Sequence, residues 1–327
     1  MLTDVSGVHH VSAIASDPQR VVDFYTDVLG LRFVRRTVNF EDQFNYHLYF
    51  GDADGSPGSV LTFFAYPREV EGRLGSPGIH TTQLAIPEHA VEYWVERLRS
   101  HDVEVGELTT RFGSEAQGAS REASDDQPRA ETVVPFTDPD GMQVELVTGP
   151  SQDLPYEAGP VPVDRAIRGV RGVSLQSRSP YVTASLLDTF GFDLVGENDE
   201  RVRYRLPGGR RSTVDILTGD ASFGREGAGS IHHVAFGVED EDTLHEWREL
   251  LEERDFDVSR VKDRQFMHSL YVREPGGVLF ELATEREGVA VDAPVPGESL
   301  VLPPWLEQDR GMIEGQLPPL SAPGESE

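Results

Sequence analysis

Internal repetition constrains this chain more than any other feature. A short strand, an amphipathic helix and several strands separated by turns recur four times, about every 60 to 80 residues. In the first copy Val8 to Ala15 reads as the strand. Asp17-Pro18 opens a helix with apolar Val21, Val22, Phe24, Tyr25, Val28 and Leu29, and Gly30 closes it. Strands are expected over Arg32 to Val38, Tyr46 to Gly51 and Ser59 to Tyr66. The second copy begins at Thr81 to Ile86, continues through a helix over Glu88 to Ser100, and ends in Thr137 to Leu146. The third runs from Gly172 to Leu175 through a helix over Val182 to Phe190 to strands ending near Leu217. The fourth takes Ile231 to Phe236, a helix over Asp242 to Arg254, and strands near Val258 to Lys262, Ser269 to Val272 and Val278 to Ala283.

No unit of that size buries a core alone, so the units must pair. The predicted class is α+β, with four βαβββ modules paired into two half-open mixed-sheet barrels. The expected organisation is a first pair over 1–150 (units 6–67 and 78–149), a Pro/Gly-rich linker over 150–165, and a second pair over 166–285 (units 168–218 and 229–285). A proline-rich acidic tail follows over 286–327, in which Leu302-Pro303-Pro304-Trp305-Leu306 is expected to pack back. Gly113 to Glu131 is polar, small and charged, and reads as a mobile loop without the apolar surface of a lid.

At 327 residues the chain has ample length for a core. No apolar run approaches the ~20 residues of a membrane span, and nothing near Met1 resembles a signal peptide, so a cytoplasmic protein is expected. The absence of cysteine excludes disulfides, thiolate metal sites and cysteine nucleophiles. Net charge is −28, and Lys262 is the only lysine among 29 basic residues. Such a surface repels phosphate backbones and anionic membranes, so neither nucleic acid nor membrane is an expected partner. It also fits a halophilic cytoplasm, where salt screens carboxylate repulsion.

Two of the repeated strands open on paired histidines, His9-His10 and His232-His233. Successive strand side chains face opposite ways, so each doublet offers one histidine to a given cavity unless the strand bends. Glu281 lies inside the apolar run Gly277 to Leu282. Two histidines and an interior carboxylate suggest a metal site. Unit one ends in Leu61-Thr62-Phe63-Phe64 without a carboxylate, unit two shows Thr81 but keeps Glu145, and unit three shows Gly172 and no histidine. A complete triad therefore requires unit one to pair with unit four and unit two with unit three. Glu145 reads as a relic or a paired core carboxylate.

This arrangement resembles the vicinal-oxygen-chelate superfamily of glyoxalases, epimerases, antibiotic-sequestering proteins and extradiol dioxygenases. Catechol-type extradiol enzymes draw all three ligands from the second half. This sequence is instead similar to the hydroquinone ring-cleaving dioxygenases, whose first unit supplies one histidine. The resemblance rests on both doublets, on Thr37-Val38-Asn39-Phe40 with Tyr46 to Asp52, and on Arg264 and Tyr271 upstream of the glutamate. It implies metal ligands His10, His233 and Glu281, an acid/base set of His9, His232, Arg264 and Tyr271, and Fe(II) as the metal, with Mn(II) as the alternative. The implied partners are a small phenolic substrate and O2, with self-association left open. Two other functions compete: a glyoxalase-like metal-dependent isomerase or lyase, and a protein sequestering a toxic planar compound. Glyoxalases usually carry four protein ligands, and sequestration has no need of Arg264 and Tyr271. His47, His268 and Asn39 are further candidates, for which a cross-strand hydrogen bond is the default reading.

Overall fold

The computed structural model describes residues 4–112, 130–149, 155–208, 212–285 and 297–323. The loop expected over Gly113 to Glu131 thus falls almost wholly outside the described residues, as do parts of the linker and tail.

Unit one contains β1 (Val8–Ala15), α1 (Pro18–Asp23), β2 (Arg32–Asn39), β3 (Asp42–Gly51) and β4 (Val60–Ala65). Unit two contains β5 (Gly78–Ile86), α2 (Val91–Ser100), β6 (Thr109–Arg111), β7 (Glu131–Thr137) and β8 (Gln143–Thr148). Unit three follows with β9 (Val170–Gln176), α3 (Pro180–Thr189), β10 (Asp193–Glu197), β11 (Arg201–Arg205) and β12 (Thr213–Leu217). Unit four contains β13 (Ile231–Val238), α4 (Glu241–Glu253), β14 (Asp257–Val258), β15 (Lys262–Asp263), β16 (His268–Arg273) and β17 (Leu279–Thr284).

Local chemistry sets the helix starts. Asp17 caps α1 through Gln19 N and Arg20 N, with Pro18 in the first helical position. Asp240 caps α4 through Thr243 N, and Glu241 and Asp242 occupy the positive end of its dipole. The helix expected to reach Leu29 departs from α geometry after Asp23, passing into a π-helical turn over Phe24–Val28. Thr26 Oγ1 donates to Val22 O, and Leu29 N bonds Phe24 O five residues back, which widens that turn.

The first and last units meet through β1 and β13, antiparallel, with His10 opposite Ala235 and Ser12 opposite His233. Units two and three meet identically through β5 and β9, with Gln83 opposite Gly172 and Thr81 opposite Ser174. Each central pair is flanked by parallel strands: β4 beside β1, β17 beside β13, β8 beside β5 and β12 beside β9. The two half-open barrels are joined through the pairing of Ile231 with Ile79. Between strands and helices lie aromatic layers, Tyr25, Phe50 and Phe63 on one side of the molecule and Phe190, Phe236, Phe280 and Trp247 on the other. The tail returns to unit one: Val301 N bonds Arg36 O, Leu302 and Leu306 are buried, and the Trp305 ring meets Phe40 edge-on. A short helix α5 (Arg310–Glu314) buries Ile313 there.

Candidate metal centre

The registers superimpose the two barrels residue by residue. Glu281 lies beside Ala235 and Glu145 beside Gln83, so Glu145 occupies the place of Glu281, Thr81 that of His233, and Gly172 that of His10. Among the described residues, therefore, only the barrel of units one and four assembles two imidazoles and a carboxylate.

His10 Nε2 lies 3.1 Å and His233 Nε2 2.7 Å from Glu281 Oε2, and the two nitrogens are 3.4 Å apart. All three residues are at most 3% exposed. Three donors on one face of an ion, at right angles and with bonds of about 2.1 Å, stand about 3.0 Å apart. The observed edges bracket that value, so the donor set fits a divalent metal. His10, His233 and Glu281 form a His-His-Glu group able to hold one.

The doublets resolve the alternation problem through edge contact. His9 Nδ1 and His10 Nδ1 are 2.9 Å apart, and His232 Nδ1 and His233 Nδ1 are 2.7 Å apart. The β1–β13 register shifts between Val8 and His10, and such a bulge turns neighbouring side chains toward one another. The doublets are not equivalent in setting. His232 lines the cavity, whereas His9 is fully buried and is not among the cavity-lining residues.

The cavity measures about 420 Å³ and contains the other expected residues. Tyr271 stands directly opposite Glu281 on β16, its ring edge-on to His233, and Arg264 Nη2 donates to its hydroxyl at 3.1 Å. Burial, reinforced by the Glu281 charge, holds the Tyr271 phenol well above its ordinary range. Burial pulls His233 down to about 4 against the opposing pull of Glu281. Burial also makes Glu281 harder to ionise, but the two imidazoles outweigh it and hold the carboxyl well below its usual range. His232 is likewise lowered by burial, partly offset by Glu226, whose Oε1 lies 3.7 Å from its Nε2.

Of the further candidates, the cavity contains His47 and Asn39. His47 makes the expected cross-strand bond, Nε2 to Thr62 Oγ1 at 2.9 Å, but within a longer chain: Tyr49 OH meets His47 Nδ1 at 2.9 Å and Thr62 Oγ1 meets Ser12 Oγ at 2.7 Å. Burial holds His47 well below its ordinary pKa, with His10 and Arg264 adding to the effect. Asn39 Nδ2 donates to Tyr66 OH at 2.7 Å. The lone lysine, Lys262, pairs with Glu41 and lies over the Tyr271 ring, so it belongs to the cavity. Composition flagged Lys262 as unusual, and nothing tied it to the site. His268 lies outside the cavity lining, 3.8 Å from Glu241.

In the other barrel Glu145 receives two 2.6 Å bonds from Arg111, so a guanidinium occupies its carboxylate. Asp215, which matches Thr62, is gripped by Arg203 Nε at 2.6 Å, Arg203 Nη2 at 2.8 Å and Arg201 Nη1 at 3.1 Å. Glu131 bonds both Arg203 and Arg171. A Cβ on Gly172 would overlap the Thr213 carbonyl, so no histidine fits where His10 has its counterpart.

A family model described as the Glyoxalase/Bleomycin resistance protein/Dioxygenase superfamily matches residues 7–146 and 186–282. The chain belongs to that superfamily. Within it, the chain is 35% identical over 323 residues to the provisionally named ring-cleaving dioxygenase MhqO of Bacillus subtilis (strain 168), covering 98% of each. It is 28% identical over 315 residues to the chlorohydroquinone/hydroquinone 1,2-dioxygenase of Sphingobium indicum, covering 93% of each. A crystal structure of a provisionally named dioxygenase from Bacillus subtilis superimposes with a TM-score of 0.89 at 35% identity, over 98% of both chains. This superfamily member also has no helix long and apolar enough to cross a membrane among its described residues.

Proposed function

We propose that the chain is a non-haem Fe(II)-dependent, extradiol-type ring-cleaving dioxygenase acting on a hydroquinone or related phenol. The observation that carries this reading is the convergence of His10, His233 and Glu281 from opposite ends of the chain onto a cavity that Arg264, Tyr271 and His232 also line. Two imidazoles and one carboxylate suit Fe(II) and leave about three positions for substrate and oxygen. The end-to-end relatives named as ring-cleaving dioxygenases support the same class. When bound, the ion supplies a positive centre that lowers the pKa of a phenol and a route for electrons from ring to oxygen.

His10 and His233 would hold it through Nε2 and Glu281 through Oε2. Ligation at Nε2 leaves the proton on Nδ1, so each ligand histidine donates to the histidine before it. His9 and His232 then accept on Nδ1 and, when neutral, carry their proton on Nε2. His9 is thereby a buried orienting partner for His10. His232 presents an N–H in the cavity, beside Glu226, and serves as a hydrogen-bond donor to a substrate or oxygen atom. Arg264 donates to the Tyr271 oxygen, which leaves the phenol hydrogen free to reach a substrate oxygen; burial keeps that phenol protonated. Both groups stabilise negative charge as it develops on the ring oxygen. Phe40, Phe64 and Met267 supply apolar walls for an aromatic ring.

The test is anaerobic reconstitution with Fe(II), followed by oxygen uptake with hydroquinone, methylhydroquinone and catechol. Uptake with a hydroquinone is expected. No uptake with any of the three, together with lactoylglutathione formation from methylglyoxal and glutathione, overturns the proposal.

A further inference from the structure

A second cavity, of about 570 Å³, adjoins the first and shares Glu226, His232, Arg273 and Leu279 with it. Its wall is built by the two connectors that join unit one to unit two and unit three to unit four. These connectors cross and pair, with Gly72 N bonding Ala228 O at 2.8 Å and Ser76 N bonding Ser222 O at 2.9 Å. A Cβ on Gly75 would run into Ser222 O and Gly224 N, so the wall requires direct backbone contact.

At the centre of the crossing Arg73 and Arg225 are directly opposed. Arg73 N bonds Arg225 O at 2.7 Å and Arg225 N bonds Arg73 O at 2.9 Å. Directly paired residues project on the same face, and like charges so placed destabilise the pairing. Among the described residues neither guanidinium has a carboxylate partner. Arg73 donates to Phe223 O and Arg225 to Glu71 O, both backbone carbonyls. Arg273, the third arginine lining this cavity, donates to Gly277 O. In a chain with 57 acidic and 29 basic residues, three arginines around one cavity that have no carboxylate partner among the described residues mark a place for an anion.

The chemistry of the proposed reaction supplies one. Insertion of O2 between a hydroxylated ring carbon and its unsubstituted neighbour breaks that C–C bond and the O–O bond. Each carbon takes one oxygen atom, the first becoming a carboxylic acid and the second an aldehyde. The acid loses its proton to solvent, so a neutral substrate yields an anionic product. We infer that the arginine-lined cavity is a carboxylate subsite that receives the acid end of the ring-opened product as it leaves the metal centre. Glu226, at the junction beside His232, disfavours a carboxylate there and turns it toward the Arg73–Arg225 side. The inference rests on the ring-cleaving reading.

The experiment titrates the Fe(II)-loaded protein anaerobically with cis,cis-muconate, with gentisate and with hydroquinone, all at one fixed salt concentration. Muconate affinity should fall about tenfold in Arg73→Gln and in Arg225→Gln, the usual effect of losing one exposed charge-assisted partner, with hydroquinone affinity unchanged. Arg73→Gln should melt no lower than the parent, because it removes a like-charge pair, and should lose the rise in melting temperature that muconate gives the parent. Equal muconate affinity in all three proteins overturns the inference. A loss confined to gentisate does so as well, because it assigns the subsite to an intact ring acid. Oxygen uptake on the same preparations separates the two readings. Uptake with arginine-independent muconate binding removes the subsite alone, and arginine-dependent binding without uptake removes the dioxygenase reading and its product as the ligand, leaving a carboxylate-binding cavity.

Discussion

Asp215→Asn keeps the shape of a fully buried side chain and removes its charge, leaving Arg203 and Arg201 facing a neutral amide. Burial alone would raise the Asp215 carboxyl, but the Arg203 and Arg201 guanidinium groups outweigh it and hold it at about 2 against an ordinary 3.8. At ~1.4 kcal/mol per pKa unit, that depression corresponds to roughly 2–3 kcal/mol of native-state stabilisation at neutral pH. Removing one partner of a buried ion pair costs about 3–5 kcal/mol in comparable cases, and Glu131 still compensates Arg203, so a loss of about 2–5 kcal/mol is expected. A lowered folded-state pKa gives stability that is present above the unfolded value and lost as pH falls toward the folded one. The parent should therefore lose this contribution between about pH 5 and pH 2, and Asp215→Asn should lack that part of the acid transition. Denaturant melts of both proteins from pH 7 to pH 2 measure it, with metal content per chain determined in parallel and expected to be unchanged. A loss under about 1 kcal/mol at pH 7, or a parallel acid limb in both proteins, would refute the view that an arginine-clamped carboxylate organises the second barrel.

Asp138 shows the opposite linkage. Burial raises it to about 6 from 3.8, so its contribution is present below the unfolded pKa and lost as pH rises through 6; stability should fall by about 3 kcal/mol across that window. Asp138→Asn should flatten this decline in melts between pH 4 and pH 7, and an unchanged pH dependence would contradict the assignment. Tyr271→Phe should retain iron and lower kcat about 10² to 10³-fold with little change in hydroquinone affinity, because the lost hydroxyl acts on charge that develops during reaction. A purely structural Tyr271 would instead alter melting temperature and leave kcat intact.

The architecture was legible because it repeats. Strand periodicity, the Asp17-Pro18 start and the apolar face of α4 are local signals. The distribution of His10, His233 and Glu281 among units also anticipated which units pair, since no other pairing assembles the group. What was not legible depends on contacts between distant segments. The edge-on meeting of His9 with His10 needs a bulge that strand alternation does not reveal, and His9 lies behind the cavity for the same reason. The Arg203–Asp215–Glu131 network joins three strands whose charges look, in sequence, like ordinary alternating polar positions. The Arg73–Arg225 crossing pairs two connectors 150 residues apart, and no local pattern announces it.

The central claim is that one metal is held between the first and last units. Iron content after anaerobic Fe(II) loading and desalting tests this most directly, compared between the parent and His10→Ala. The account predicts one iron per chain in the parent and essentially none in His10→Ala, although His10 lies 223 residues from His233 in sequence. Full iron retention in a folded His10→Ala would place the metal within the second half of the chain and contradict it.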